Sequence, residues 1–316
     1  MTAFRPLILV VATLATVTAL TLARAGDERS VALNQAIAEQ ETALDNRIGV
    51  FVLDTATGRL FGYRADERFA TASAFKILLA GAVLARIDAG EFTLDTTVPM
   101  AGAEIQPHSP VTGKLDKDAH ISVASLCQAA VETSDNTATN MLLDLLGGPA
   151  AFTNDLRTLG DSVTRLDRWE MELNTNIPGD PRDTTTPAAM ATTLATLLKP
   201  GTLGDAHRQQ LIVWLRDSVT GKARLRAGLP EEWQVGDKTG TGNNGAVNDV
   251  AVAWPTDDAP LIIVVLMDGG EADIPTHNNA HAGIATAVTQ WMTALQSEQQ
   301  LSNSIGIDQH TEALSR

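Results

Sequence analysis

Val247-Asn248-Asp249-Val250-Ala251-Val252-Ala253-Trp254, a Pro/Asp turn, then Leu261-Ile262-Ile263-Val264-Val265-Leu266-Met267: these two runs decide the fold. Both are short, rich in β-branched residues and bounded by turn residues, the pattern of an antiparallel hairpin. The same texture occurs near the other end of the chain. Arg47-Ile48-Gly49-Val50-Phe51-Val52-Leu53-Asp54 reads as a strand, Thr55-Ala56-Thr57-Gly58 as a turn, and Arg59 to Tyr63 as a second strand. Between the hairpins, from about Asp66 to residue 216, the chain is rich in alanine and leucine at helical spacing, with almost no strand signal. A helix over Asp27 to Leu44 precedes the first hairpin, and another from roughly His281 to Ser297 follows the second. This order predicts an α/β two-domain protein, an antiparallel sheet flanked by helices and built from both chain ends, with an inserted all-α domain. The sheet domain takes 26–65 and 217–298 and the helical domain 66–216, with the active site expected at their interface. Residues 299–316 are polar, lack periodicity and predict a disordered tail.

The bulk numbers narrow the function. A net charge of −15 over 316 residues disfavours nucleic acid and anionic membrane surfaces as partners and suits a soluble monomer acting on small molecules. Met1-Thr2-Ala3-Phe4-Arg5, an apolar run from Leu7 to Leu22 and Ala23-Arg24-Ala25 read as a secretory signal over 1–25, giving a periplasmic or secreted protein. A retained membrane anchor is the alternative. Cys127 is the only cysteine, so no intrachain disulfide can form; its apolar helix, Val123 to Ala130, makes it a core hydrophobe. His277 and His281 stand at i, i+4, but no glutamate follows His277 directly and no cysteine is near. Neither a metal nor another cofactor is expected.

Four clusters carry chemistry. Ser73-Ala74-Phe75-Lys76 opens an apolar helical segment, and spacing i, i+3 lets the Ser73 hydroxyl and the Lys76 amine share a face. The free N–H groups of a helix start favour developing negative charge, and a desolvated lysine can serve as a base. Alone, a serine before a helix is more commonly an N-cap. Ser134-Asp135-Asn136 offers a second hydroxyl and a carboxamide at a helix–helix turn, or simply a capping turn. Lys238-Thr239-Gly240-Thr241-Gly242 puts carboxylate-binding groups on a strand whose glycines admit a close ligand, or forms a glycine-rich bulge. The loop from Arg168 to Asp183 has the upper length of an Ω-loop; Glu170 and Asn174 can hold a water while Arg168 and Asp183 pin its ends.

Ser-x-x-Lys, Ser-Asp-Asn and Lys-Thr-Gly in this order are the pattern of the serine penicillin-recognising enzymes. With the Glu170 loop, the chain resembles a class A β-lactamase from about residue 28 to 298. The resemblance implies that Ser73 forms an acyl-enzyme with the opened lactam, activated by Lys76 or by Glu170 through a water. It implies an oxyanion hole from the Ser73 and Thr241 backbone N–H groups, and proton delivery by Ser134. Lys238, Thr239, Gly240 and Thr241 would line the carboxylate site, Asn136 would hold the acylamide, and His108 would stand at the aromatic wall. Glu170 and Asn174 would position the deacylating water, so that the enzyme hydrolyses penicillins and cephalosporins and confers resistance. Without such a base the same machine is a D-Ala-D-Ala carboxypeptidase or a penicillin sensor.

The chain departs from the family pattern in places. Ala80 stands where many members carry a cysteine that would pair with Cys127. Ala72 and Gly242 stand where carbapenem-hydrolysing members often have a disulfide. Met171 replaces a frequent proline. Val247 stands where many members have an arginine that reaches the substrate carboxylate; Arg224 matches an alternative source of that guanidinium, with Arg226 two residues on as its rival.

Overall fold

The strand runs at the two chain ends meet in one sheet. The computed structural model describes residues 30–314 other than 257 and 258, with side chains described as far as residue 294. The expected signal segment, 1–25, lies outside the described residues. In chain order the strands are β1 (Arg47–Asp54), β2 (Leu60–Tyr63), β3 (Phe69–Ala70), β4 (Thr97–Pro99), β5 (His120–Ser122), β6 (Thr184–Thr185), β7 (Gln234–Thr241), β8 (Val247–Trp254) and β9 (Leu261–Asp268). The helices are α1 (30–44), α2 (Lys76–Asp88), α3 (Val123–Glu132), α4 (Asn136–Leu146), α5 (Pro149–Thr158), α6 (Pro187–Leu198), α7 (Asp205–Arg216) and α8 (Ile274–Leu314).

Five strands form an antiparallel sheet in the order β2-β1-β9-β8-β7. The N-terminal hairpin joins the C-terminal strands through β1 and β9, in register Val50 to Val265 and Leu53 to Ile262. Every residue of β8 is buried, which is why its sequence reads as an unbroken apolar run instead of an alternating one. α6 packs on β1 and β9, and α7 on β7. Among the described residues two compact units emerge, one of 30–39 with 286–314, the other within 40–285. In the first, Leu33 and Ala36 line a cavity of about 160 Å³ with Ala287 and Trp291. The second holds the whole sheet, α2 to α7 and every side chain of the site described below.

α2 is the axis of the helical block. Lys76 to Leu84 are buried without interruption, and α2 touches each of α3 to α7. Gly81 is glycine for a steric reason, since a Cβ there would collide with Leu197 of α6.

Two expectations need correction. The helical block contains two small ladders, β3 with β6 and β4 with β5, where no strand was expected. Strands of two or three residues are too short to show alternation. α8 begins at Ile274, where the Asp273 carboxylate accepts from Thr276 N (2.9 Å) and caps the helix start. It continues to Leu314, through the stretch expected to be a disordered tail. After Pro275 no proline interrupts it, and polar helix formers such as Gln and Glu need no apolar face to continue a turn.

Candidate active site

Ser73 lies in a 3₁₀ turn, Ala72–Phe75, that leads directly into α2. Its hydroxyl donates to Glu170 Oε1 (3.3 Å). The Lys76 amine, fully buried, pairs with the same Oε1 at 2.9 Å and donates to Asn136 Oδ1 (2.6 Å) and to the backbone oxygen of Ser134 (3.0 Å). The expected meeting of Ser73 and Lys76 is therefore indirect. Both converge on one oxygen of Glu170, and the amine's other contacts are with Asn136 and Ser134.

Ser134 occupies the turn between α3 and α4, with φ at 59°. That left-handed conformation aims its hydroxyl at two amines, accepting from Lys238 Nζ (3.1 Å) and Lys76 Nζ (3.4 Å). Burial holds the Lys76 amine below the ordinary lysine pKa, against the pull of the Glu170 charge. Lys238 lies further below it, through burial first and the Lys76 charge second, with Asp237 opposing. A hydroxyl between two such amines has a proton path on either side.

Asp135 fixes this turn. It caps α4 through Ala138 N and accepts from Thr112 Oγ1 (2.6 Å), Val111 N and Thr112 N (2.9 Å each), locking the preceding loop to the helix. His108 sits on that loop, exposed, with φ at 56° and its Nε2 donating to Thr133 O (3.0 Å).

The loop from Arg168 to Asp183 presents Glu170. Arg168 Nε donates to the buried Asp183 carboxylate at 2.5 Å, and Asp183 also accepts from Asp167 N and Arg168 N. Asn174 Nδ2 grips Glu170 Oε2 at 2.6 Å, while Asn174 Oδ1 is buried with no partner among the described residues. The Glu170–Met171 peptide is cis. Asn140 holds the Glu170 backbone at both ends, accepting from its N and donating to its O, each at 3.0 Å. Sequence reading missed Asn140. Its signal was position, one helical turn after Asn136 and on the same face of α4.

β7 forms the opposite wall. Gly240 passes so close to the Ser73 turn that a Cβ would lie 2.8 Å from Thr71 O and 3.0 Å from Ala74 N, which is what the glycine is for. Thr239 donates to Thr220 Oγ1 (2.7 Å), a partner the sequence did not flag. Thr241 is exposed and its hydroxyl accepts from Arg224 (2.7 Å). Arg224, 6% exposed, also donates to Gly240 O (2.9 Å), Asn248 O (2.6 Å) and Asn278 Oδ1 (3.1 Å). Arg226 turns away to Asp237 (2.9 Å). His277 is bonded by Asn46 (2.8 Å) and His281 donates to Val247 O (3.1 Å); among the described residues no group of three His, Cys, Asp or Glu could hold a metal. No helix of the described residues is long and apolar enough to cross a membrane.

Ser73, Lys76, Ser134, Asn136, Glu170, Asn174 and Lys238 thus form one connected set of hydrogen bonds, walled by β7 and with Arg224 behind Gly240 and Thr241. Residues 32–292 match the model of the β-lactamase enzyme family. The chain is 49% identical over 241 residues to the β-lactamase AST-1 of Nocardia asteroides, covering 76% of this chain and 77% of that one. It is 46% identical over 249 residues to the β-lactamase FAR-1 of Nocardia farcinica, covering 79% and 78%. A solved structure titled as the last common ancestor of Gram-negative bacteria class A β-lactamase superposes with a TM-score of 0.80 at 54% identity, covering 82% of this chain and 98% of that one. With the fold, the connected side chains and these relatives in agreement, the chain belongs to the β-lactamase enzyme family, within class A.

Proposed function

We propose that this site hydrolyses the cyclic amide of penicillins and cephalosporins through a Ser73 acyl-enzyme, and so confers resistance to them. Ser73 Oγ attacks the lactam carbonyl carbon and its proton passes to Glu170 Oε1, the acceptor it already bonds. The Ser73 and Thr241 backbone N–H groups take the developing oxyanion. Ser134 gives its proton to the leaving nitrogen and is resupplied by the flanking lysines. Lys238 and Thr239, with Arg224 behind them, receive the substrate carboxylate, and Asn136 the acylamide. His108 edges the mouth of the site.

One observation carries the hydrolase reading over a carboxypeptidase or a sensor. Glu170 reaches Ser73 with one carboxylate oxygen and is held by Asn174 through the other, and the unpartnered Asn174 Oδ1 can accept from a water placed beside both. That is a base for deacylation, directed at the ester carbon. Ser73→Ala should give no covalent adduct with benzylpenicillin, whereas Glu170→Ala should acylate and then stall. Intact-protein mass spectrometry reads both. A Glu170→Ala protein that turns over at the wild-type rate would remove the deacylation role.

A further inference from the structure

Both N–H positions of the Asn136 carboxamide are taken, and its oxygen is engaged as well. Its Oδ1 accepts from Lys76 (2.6 Å), and its Nδ2 donates to Pro107 O (2.8 Å) and to Met171 Sδ (2.8 Å). The third partner is the anomaly, because a thioether sulfur is a weak acceptor. Met171 is 41% exposed, while Met100, Met141, Met190, Met267 and Met292 are at most 7% exposed. Beside it opens a groove of about 1,020 Å³, lined by Met171, Trp169, Asn140, Met141 and Glu104 among others. An unbranched, flexible side chain at the rim of such a space can leave its position at little cost.

We propose that Met171 is a specificity-determining gate whose sulfur stands where the acylamide carbonyl of a β-lactam binds Asn136 Nδ2, and which retreats into the groove when that carbonyl arrives. The proposal rests on the reading that Asn136 receives the acylamide. An amide carbonyl is the stronger acceptor and wins the exchange, but every acylamide substrate first displaces the thioether. A β-lactam without that carbonyl, such as 6-aminopenicillanic acid, leaves the gate shut and is indifferent to it. Oxidation closes the gate further. A peroxide transfers one oxygen atom to Met171 Sδ and leaves as water or alcohol, and the resulting sulfoxide oxygen is a strong acceptor for Asn136.

The test compares benzylpenicillin with 6-aminopenicillanic acid on wild type and Met171→Leu, which keeps the volume and removes the acceptor. The KM for benzylpenicillin should fall about three- to tenfold with kcat unchanged, the size of one weak hydrogen bond. The KM for 6-aminopenicillanic acid should not move. Mild hydrogen peroxide should raise the benzylpenicillin KM of wild type and leave that of Met171→Leu where it was. If the variant does not fold, the peroxide arm on wild type, read against the two substrates, decides alone. An unchanged KM in Met171→Leu, an equal shift for both substrates, or an equal peroxide effect on both proteins overturns the gate. No turnover of either compound by wild type overturns the β-lactamase reading itself, and the gate with it.

Discussion

Arg224 and Arg226 carry the same charge two residues apart, yet they face different chemistry. Arg224 is wrapped around β7, with one nitrogen on Gly240 O and another on Thr241 Oγ1. Arg226 is spent on Asp237, a fully buried carboxylate. Arg224→Ala should therefore lower kcat/KM for penicillins by about ten- to a hundredfold, the loss of a charge-assisted contact of about 1.5–3 kcal/mol. Arg226→Ala should instead lower the melting temperature, because it strands a buried charge. Steady-state kinetics and thermal melts on both variants separate the two, and a reversed pattern would exchange their roles. From sequence the resemblance alone favoured Arg224, since an extended segment points both the same way and only proximity separates them. The 3₁₀ turn at Leu225–Gly228 breaks that equivalence. Ser73, Lys76, Ser134 and Lys238 were legible because their motifs constrain chemistry at fixed spacing. Asn140 was not, since an asparagine inside a helix resembles any other until the loop it holds is in place.

At the scale of elements, β7 and β8 bring two buried carboxylates together. Asp249 lies opposite Thr239 in register and accepts from Leu225 N (3.0 Å); its Oδ1 and that of Asp237 have no partner among the described residues. Burial, then the Asp237 charge, pushes the Asp249 carboxyl up to about 8, against the pull of Arg224. A carboxyl raised this way binds its proton more tightly folded than unfolded. Its contribution is favourable at low pH and is lost as pH climbs from the ordinary aspartate range toward about 8. Asp249→Asn should remove that slope, leaving melting temperature flatter from pH 5 to pH 8 and higher than wild type at the alkaline end. Identical pH profiles for the two proteins would refute it. The strands that carry this pair were readable because each is an eight-residue run with turns at both ends. The β3–β6 and β4–β5 ladders were not, because their pairing is imposed by the helices and loops around them and leaves no periodic trace.

For the molecule as a whole, stability rests on packing without a covalent tie. Cys127 is the only cysteine, it is fully buried on α3 in the core shared with α2, and burial pushes its thiol up from the ordinary range. The sequence already implied an inert core residue; the structure adds that its reactivity reports on the opening of the helical block. A thiol reagent needs both contact and a thiolate, and the native state denies it both. If the 40–285 unit opens only as a whole, labelling under native conditions waits on an unfolding equilibrium of about 5–15 kcal/mol. Cys127 should then react with a disulfide reagent at least about a thousandfold more slowly in native buffer than in denaturant. Sub-denaturing urea should raise the native rate along the slope set by global unfolding. A reductant should leave the melting temperature where it was. Rapid labelling in native buffer, or a urea slope much shallower than that of the global transition, would mean that α3 opens locally and that the floor beneath Ser134 is the soft part of the site.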